Sequence, residues 1–531
     1  MQPETATEVR DRYVLAIDLG TGGPKVGLVH QDGRVICRAS APVQLFFLPR
    51  GGAEHDPAEW WSTITSCARK VIRESAVPPA QIIAVAVTSM WSVTVPVDEN
   101  GEPLMNAISW MDGRGGQYNR EMVRGFPSIQ GYKLGTLLKY VKKVGFPPTL
   151  KGADSVGHML FIKHERPDIY RRTYKFLEPM DYVNLRLTGK FAATQNTVMP
   201  SMMVDNRRLN VQEYDPWLVR MSGIDREKLP DLLPIDGTVG TVTASVAEKL
   251  GVSPDAVVIC GVNDNSSSAI GVGSIADSEP AAVLGTSGYL ASHVSFKKTD
   301  LNSSMATMPS AIPRCYLFIA ELANNGKVLD SYLKNMIYAE NILENESIPL
   351  EIYERASGDA ADVPPGSEGV IFLPWFNGSF SPEEDQYMRG GFLNLSHKTS
   401  RAQLTRAVFE GLAMNWRWLR GPSEKLIGKP FHSWRLTGGG ALSDVWSQIM
   451  ADVVGLPMHR QADPRNSNVL GIAMLAFQRL GLIRLEDMPR MIKFDGVFEP
   501  NPKTRVVYDH MFAQFMAARK KIRPIFHALN K

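Results

Sequence analysis

The sequence has little of what marks secreted, zinc-binding or membrane proteins. It contains four cysteines in 531 residues, and none forms a CxxC pair or lies near a histidine cluster. This argues against a disulfide framework and against a cysteine-based zinc site. No apolar run approaches the ~20 residues that a membrane helix needs, and residues 1–12 lack the layout of a secretory signal. We therefore expect a protein of the reducing cytoplasm.

Charge of one sign is also scarce. The formal net charge is +3, hydrophobic residues make up 44% and charged residues 21%. Such a balance is ordinary for globular proteins and gives no strong attraction to nucleic acid or to an anionic membrane. The length predicts two or three domains. Strands and helices alternate along the chain, which predicts an α/β fold. We expect neither nucleic acid nor a membrane as a partner.

A glycine turn follows the first apolar strand. The run from Tyr13 to Ile17 ends in Asp18-Leu19-Gly20-Thr21-Gly22-Gly23, and a second strand begins near Lys25. A carboxylate at Asp18 can hold a hydrated Mg²⁺, and glycines let backbone N–H groups approach phosphate oxygens. We assign Gly20, Thr21 and Lys25 to a nucleotide phosphate site. The alternative is a plain β-turn with aspartate as a turn residue.

The same turn recurs in the second half as Leu284-Gly285-Thr286-Ser287-Gly288, again after an apolar strand. The repeat predicts two related domains, residues 11–270 and 271–531, with a boundary near 271–277 and a cleft between them. Gly285, Thr286 and Ser287 would contact the phosphates from the second side, unless this too is an ordinary turn. Gly438, Gly439, Gly440 and Ala441 would support a nucleoside, the alternative being a flexible loop before a helix capped by Ser443.

A candidate base and a candidate sugar pocket lie in the first half. Asp264 stands between a buried strand and the start of a helix near Ser266, where it can accept a proton from an alcohol that attacks phosphorus. Helix capping is an equally good explanation of Asp264. Asn265 can bind a hydroxyl. Met90, Trp91, Trp110 and Asp112 combine aromatic faces with a carboxylate, as sugar sites do. The alternative is that both tryptophans belong to the core.

Taken in order, these motifs resemble the FGGY carbohydrate kinase family, over about residues 13–482. The resemblance is carried by eight segments: Ile17–Thr21; Glu54–Pro57 with Trp60 and Trp61; Ile108–Arg114; Asp181-Tyr182 with Arg186–Gly189; Gly261–Asn265; Gly285–Ser287; Arg389–Leu393 with Arg406–Gly411; and Gly438–Ala441. The Asp264-Asn265 pair is most similar to xylulokinases. Trp91, however, stands where those enzymes have a substrate-binding histidine.

The resemblance implies two ribonuclease-H-like, actin-like ATPase domains that use ATP and Mg²⁺. Asp18 would organise the metal and Asp264 would be the base. The implied activity is phosphorylation of a small sugar or polyol, with a pentulose such as xylulose as the first expectation. Another ketose, a polyol or an aldonic acid is the alternative, as is an ATP-binding regulatory pseudokinase on the same fold. The resemblance also suggests a homodimer.

Overall fold

The computed structural model describes residues 11–337 and 348–531. It divides into two compact units. Unit 1 contains residues up to Gly271 together with 308–316 and 468–491, and unit 2 contains 272–307, 317–467 and 492–531. The main segment of unit 1 ends at Gly271, and its two later segments lie within the range 271–531. Two continuous domains, 11–270 and 271–531, stay a prediction.

A glycine explains why the segment from residue 468 packs with unit 1. The helix that carries it approaches the helix after Asp264 so closely that a Cβ on Gly471 would lie 1.9 Å from the carbonyl oxygen of Ser267. Any larger residue would push the two backbones apart. Gly27 likewise accommodates Val469, whose Cγ1 would be 2.6 Å from a Cβ at that position.

Unit 1 is built from short strands and mostly short helices. Its strands are β1 Tyr13–Gly20, β2 Gly23–His30, β3 Val35–Ser40, β4 Leu45–Leu48, β5 Gly52–His55, β6 Ile82–Ser89, β7 Val95–Val97, β8 Ala107–Ile108, β9 Ser128–Ile129, β10 Tyr132–Lys133, β11 Lys175–Leu177, β12 Ala192–Thr194, β13 Asp231–Leu233, β14 Thr238–Thr241, β15 Val257–Ile259 and β16 Val262–Asn263. Its first helices are α1 Pro57–Ser75, α2 Gly116–Val123, α3 Leu134–Lys143, α4 Ser155–Glu165, α5 Pro167–Arg172, α6 Pro179–Thr188, α7 Pro216–Ser222, α8 Ala244–Leu250 and α9 Asp264–Gly271.

Unit 2 holds most of the remaining elements. Its strands are β17 Ala281–Leu284, β18 Gly288–Val294, β19 Thr299–Asp300, β20 Met305–Pro309, β21 Tyr316–Leu322, β22 Ile371–Leu373, β23 Gly391–Leu393, β24 Trp434–Thr437, β25 Met458–Gln461 and β26 Phe494–Phe498. The helices from residue 326 onward are α10 Gly326–Tyr332, α11 Leu350–Ala361, α12 Arg401–Ile427, α13 Asp444–Val454, α14 Ser467–Arg479, α15 Met488–Met491 and α16 Arg505–Asn530, of which α15 and nearly all of α14 pack in unit 1.

The main sheets of the two units share one topology. In unit 1 the order is β3-β2-β1-β6-β15-β14, with β16 also paired to β6. In unit 2 the corresponding order is β21-β18-β17-β24-β25-β26, followed beyond β21 by β20 and β19. In both, the first strand forms an antiparallel hairpin on one side and a parallel pair on the other. This repeat of topology matches the repeat of the glycine turn in the sequence.

Local sequence accounts for the best-formed helix starts. Asp56 accepts the Ala58 N–H at 2.8 Å and Pro57 occupies the first position of α1, as predicted. Ser443 accepts the Trp446 N–H at 3.1 Å and caps α13, also as predicted. Helix α9 differs from the prediction because it begins at Asp264, two residues earlier than expected.

Within residues 11–337 and 348–531, every helix is too short or too polar to cross a bilayer.

Candidate active site

Asp18 lies near the carboxyl end of β1 and is almost fully buried, with 2% of its surface exposed. Its Oδ2 is 3.5 Å from the Nζ of Lys25, the residue opposite it on β2. Its Oδ1 accepts from the Nδ2 of Asn468, on α14, at 3.3 Å. Sequence reasoning missed Asn468, since it lies 450 residues away and no local motif marks it. The predicted metal ligand is therefore a buried carboxylate next to a half-exposed cation.

Asp264 reaches the same end of the sheet through β16. Strand β6 separates β1 from β16: Asp18 pairs with Thr88 on one side, and Asn263 pairs with Ser89 on the other. Because all three strands run parallel, their carboxyl ends lie together. Two strand spacings place the backbones of Asp18 and Asp264 about 10 Å apart. The structure thus brings the predicted metal ligand and the predicted base to one edge of one sheet.

The neighbour of Asp264 makes the helix cap. The Oδ1 of Asn263 accepts the Ser266 N–H at 2.8 Å, which is the hydrogen bond of an N-cap residue. Asp264 occupies the first helical position and is partly exposed, and Asn265 follows it in the first turn. The cap at this helix start is therefore made by Asn263.

Met90 and Trp91 leave the end of β6 between these two carboxylates. The Met90 N–H donates to the Leu19 carbonyl at 2.8 Å, and the Met90 side chain is only 3% exposed. Trp91 is partly buried against the core of unit 1, and its Nε1 donates to the Thr197 carbonyl at 2.9 Å. Only part of the Trp91 ring is open to a ligand, and its single polar atom is already used.

Trp110 is not a core residue. It is 40% exposed, and its Nε1 donates to the Oγ1 of Thr21 at 3.0 Å. One hydrogen bond thus joins a residue predicted for the sugar to a residue predicted for the phosphates. The ring of Trp110 stays available as an apolar face beside the first glycine turn.

Asp112 has a different environment from the predicted one. It is fully buried, and its Oδ2 accepts the Ala53 N–H at 2.8 Å. Both of its oxygens also contact the guanidinium of Arg114, whose Nη2 lies 2.6 Å from the Oε1 of Glu54. The carboxylate is enclosed and fully occupied, so in this arrangement Asp112 orients Arg114 and presents no atom to a sugar. Direct contact between Asp112 and a sugar stays a prediction without support in this geometry.

In unit 2 the two predicted nucleotide segments lie next to each other. Strand β17 pairs in parallel with β24, so the turn at 285–287 and the segment 438–441 leave adjacent carboxyl ends. Gly438 adopts φ +90°, and a Cβ there would lie 2.7 Å from the backbone of Leu284. Gly439 has nothing within 4 Å of its Cβ position, whereas Ala441 is fully buried. The segment is thus a close backbone crossing and not a free loop.

A fully buried asparagine supports the second turn. Asn325 donates from Nδ2 to the Gly285 carbonyl at 3.0 Å, and its Oδ1 accepts from the Nε1 of Trp416 at 3.1 Å. The N–H groups of Gly326 and Lys327 donate to the carbonyls of Gly285 and Thr286, both at 3.0 Å. These bonds turn the two carbonyls toward α10. Apart from an Asn-Asn-Gly turn, no local pattern marks this support in the sequence.

These residues fit Mg²⁺ and a nucleotide. Among the described residues no three His, Cys, Asp or Glu side chains form a ready metal cage. A cage is not required, because Mg²⁺ in phosphotransferases is usually held by one or two carboxylates, waters and the substrate phosphates. Asp18 supplies one buried carboxylate, and Lys25 beside it suits a phosphate oxygen. The glycines that begin at Gly438 have no side chains, so their backbone is accessible to a nucleoside.

Two sheets of one topology, each with a glycine turn at the end of its first strand, define the class of actin-like ATPase folds. Comparison with known families gives the particular family. The model of the N-terminal domain of the FGGY family of carbohydrate kinases matches residues 13–271, and that of the C-terminal domain matches 281–479. The chain belongs to the FGGY family of carbohydrate kinases and is an enzyme that phosphorylates a sugar.

Individual relatives agree with this assignment. The chain is 28% identical over 519 residues to a xylulose kinase of Staphylococcus epidermidis, covering 96% of this chain and 97% of that protein. It is 26% identical to an autoinducer-2 kinase of Klebsiella pneumoniae, covering 95% and 93%. The structure of a xylulose kinase from Lactobacillus acidophilus superposes with a TM-score of 0.84 at 23% identity, covering 98% of this chain and all of that one. The predicted fold class is confirmed.

Proposed function

We propose that this enzyme transfers the γ-phosphoryl group of ATP to a hydroxyl of a small sugar or polyol, with a pentulose such as xylulose as the first substrate to test. One observation carries the proposal: Asp18 and Asp264 flank β6 at the carboxyl ends of parallel strands. The names of the relatives at 28% identity support the choice of xylulose.

Asp264 acts as the general base. Its carboxylate accepts the proton of the sugar hydroxyl while the hydroxyl oxygen bonds to the γ-phosphorus. The bond between that phosphorus and the β–γ bridging oxygen breaks, and ADP leaves with the electron pair. Asn265 binds a second hydroxyl, and the ring of Trp110 packs against the C–H face of the sugar. The proton on Asp264 passes to solvent, since this residue is partly exposed.

The phosphates are bound by backbone N–H groups and by the cation of Lys25. Gly20 and Thr21 offer N–H groups from the first turn, and Lys25 adds positive charge to an oxygen beside Asp18. In unit 2 the N–H groups of the turn at 285–287 bind the phosphates, and residues 438–441 carry the nucleoside. Mg²⁺, when bound, neutralises charge that develops on the phosphoryl oxygens, and Asp18 is the residue that would hold it.

An ADP-release assay over ketopentoses, ketohexoses, polyols and aldonic acids tests the proposal. Asp264→Asn should lower sugar-dependent turnover by about 10²–10⁴-fold, because proton acceptance is lost, with ATP affinity nearly unchanged. Asp255→Asn, an exposed carboxylate of the same unit, is the matched control and should behave as wild type. Near-normal turnover of Asp264→Asn would remove Asp264 from this role.

Trp91 favours a second candidate for the substrate. Its indole N–H is bound to Thr197, so it offers no hydrogen bond at the position where xylulokinases have histidine. A ketose, polyol or aldonic acid other than xylulose is therefore the alternative. ATP binding without sugar-stimulated ADP release from any member of the panel would favour a regulatory pseudokinase.

A further inference from the structure

A two-residue segment after β12 connects the candidate sugar pocket with the candidate base. Asn196 is 1% exposed and Thr197 is fully buried. Through backbone and side chain this pair contacts Trp91 on one side and the residue before Asp264 on the other. Neither Asn196 nor Thr197 belongs to the site as derived so far.

The amide of Asn196 is bound at both ends. Its Oδ1 accepts the Asn263 N–H at 3.1 Å, and its Nδ2 donates to the Pro309 carbonyl at 2.9 Å. A weaker contact of 3.4 Å joins the same Nδ2 to the Oγ of Ser266. A backbone N–H can only donate and a carbonyl can only accept, so the orientation of this amide is fixed by its partners.

These bonds hold the backbone on both sides of Asp264. Asn263, immediately before it, is bound by Asn196, and Ser266, two residues after it, is bound by the Oδ1 of Asn263. The direction in which the Asp264 side chain leaves the sheet follows from the backbone at positions 263–266. Removal of the Asn196 amide would free that backbone while leaving the carboxylate itself intact.

Thr197 holds Trp91 in place. Its carbonyl accepts the indole N–H of Trp91 at 2.9 Å. The turn that carries it is closed twice, since the Thr197 N–H donates to the Thr194 carbonyl at 3.1 Å and the Thr194 N–H donates to the Thr197 Oγ1 at 3.0 Å. The ring plane of Trp91 is therefore set by a rigid turn and not by solvent.

We propose that Asn196 is a positioning residue, which aligns Asp264 with a sugar packed on Trp91. The inference rests on the proposed function, because it takes Asp264 as the base. Phosphoryl transfer needs the attacking oxygen within about 3–3.5 Å of its target, and a misplacement of 1 Å can cost about 10²-fold. One turn contacts both the residue on which the sugar packs and the residue immediately before the group that takes its proton.

The test uses four single variants and one double variant of the full chain in the ADP-release assay. Asn196→Ala should lower kcat about 10–100-fold at saturating sugar and ATP, with KM for ATP within about twofold of wild type. Asn196→Asp keeps an oxygen for the Asn263 N–H but replaces the amide donor to Pro309 and Ser266 with an acceptor oxygen, so its kcat should lie between those of wild type and Asn196→Ala. Trp91→Phe, which lacks the indole N–H, should raise KM for the sugar more than it lowers kcat. Asn100→Ala, in an exposed turn, is the matched control.

Coupling separates positioning from a general loss of structure. Since Asn196 and Trp91 act through one turn, the double variant Asn196→Ala/Trp91→Phe should lose less activity than the product of the single effects. Sugar-independent ATP hydrolysis should stay near wild type in Asn196→Asp. Unfolding midpoints measure separately the stability that this variant loses by burying a carboxylate. Wild-type kcat in Asn196→Ala, or full additivity in the double variant, would overturn the inference. If Asn196→Ala does not fold, Asn196→Asp with Trp91→Phe decides by the same criteria. Absence of sugar-stimulated ADP release in the wild type would instead overturn the proposed function.

Discussion

The two glycine turns of this enzyme share a backbone plan and differ in chemistry. Each follows the first strand of its sheet, each closes a hairpin, and each has a parallel strand on its other side. The residue before the shared leucine differs: Asp18 in the first turn corresponds to Val283 in the second. The two copies share the backbone of the turn, and only the first has a carboxylate at this position.

The residues that support the turns differ in the same way. Lys25 and Asn468 surround Asp18, and Trp110 binds Thr21. The second turn is held by neutral groups, the amide of Asn325 and the indole of Trp416. The surroundings of the first turn are thus charged, whereas the supports of the second turn are neutral.

Among variants that test this difference between the two turns, Asp18→Asn should have the largest effect on activity. Loss of the charge should lower kcat by about 10²–10³-fold at saturating ATP and Mg²⁺, the usual cost of one electrostatic group aimed at a transition state. Val283→Thr, the matched change in the second turn, should stay within about threefold, because that position carries no charge to lose. Steady-state kinetics across a Mg²⁺ titration measures both, and equal effects would contradict the asymmetry.

The next largest effect should come from Gly438→Ala. The positive φ of Gly438 and its 2.7 Å approach to the Leu284 backbone mean that a methyl group must shift the end of β17. Backbone strain of this kind costs about 1–3 kcal/mol, so KM for ATP should rise by about tenfold while KM for the sugar stays constant. Gly439→Ala has space around its Cβ and serves as the control. Equal KM values for ATP in both variants would show that the crossing does not bind the nucleotide.

Asn325→Ala should have a moderate effect, and that effect should be on nucleotide binding alone. It removes the donor to Gly285 and leaves the indole N–H of Trp416 buried without its acceptor, which costs about 1–3 kcal/mol. Part of that cost will appear as lower stability. We expect KM for ATP to rise about 3–10-fold with kcat nearly unchanged, and Trp416→Phe to show a smaller rise. A fall in kcat with constant KM would place Asn325 in the chemistry instead.

Much of this comparison was accessible from sequence, because strand ends and glycine turns are local patterns. The hairpin after Asp18, the cap at Asp56 and the repeat at Gly285 follow from residues within a few positions of each other. The supports were not accessible. Asn468 contacts Asp18, Asn325 contacts the second turn, and Asn196 contacts the backbone before Asp264, each through tertiary contacts across many residues. An isolated asparagine has no distinguishing spacing. Asp112 is a different case, because the sequence could not show that this carboxylate is bound to Arg114 and Ala53, and its contact with a sugar stays a prediction.

The smallest expected effect is on the pH dependence of stability, and it concerns the buried carboxyl group of Glu178. This group contacts the loop 90–94, which follows β6 and carries Trp91. Glu178 accepts the Val93 N–H at 3.0 Å and the Ser155 hydroxyl, and burial raises its pKa to about 8. A carboxyl whose pKa is raised on folding stabilises the native state below its unfolded value, and this contribution is lost as pH rises from about 4.5 to about 8. Nearby Asp181, also buried with a raised pKa, acts with the same sign.

Glu178→Gln should remove part of this pH dependence. The unfolding midpoint of the variant, relative to that of wild type, should therefore rise between pH 5 and about 8. Thermal unfolding at several pH values measures the gain, and Glu99→Gln, an exposed carboxyl in unit 1, should show none. A constant difference between Glu178→Gln and wild type at all pH values would mean that Glu178 is charged in the folded protein, and the loop would then carry a permanent negative charge that the second turn does not share.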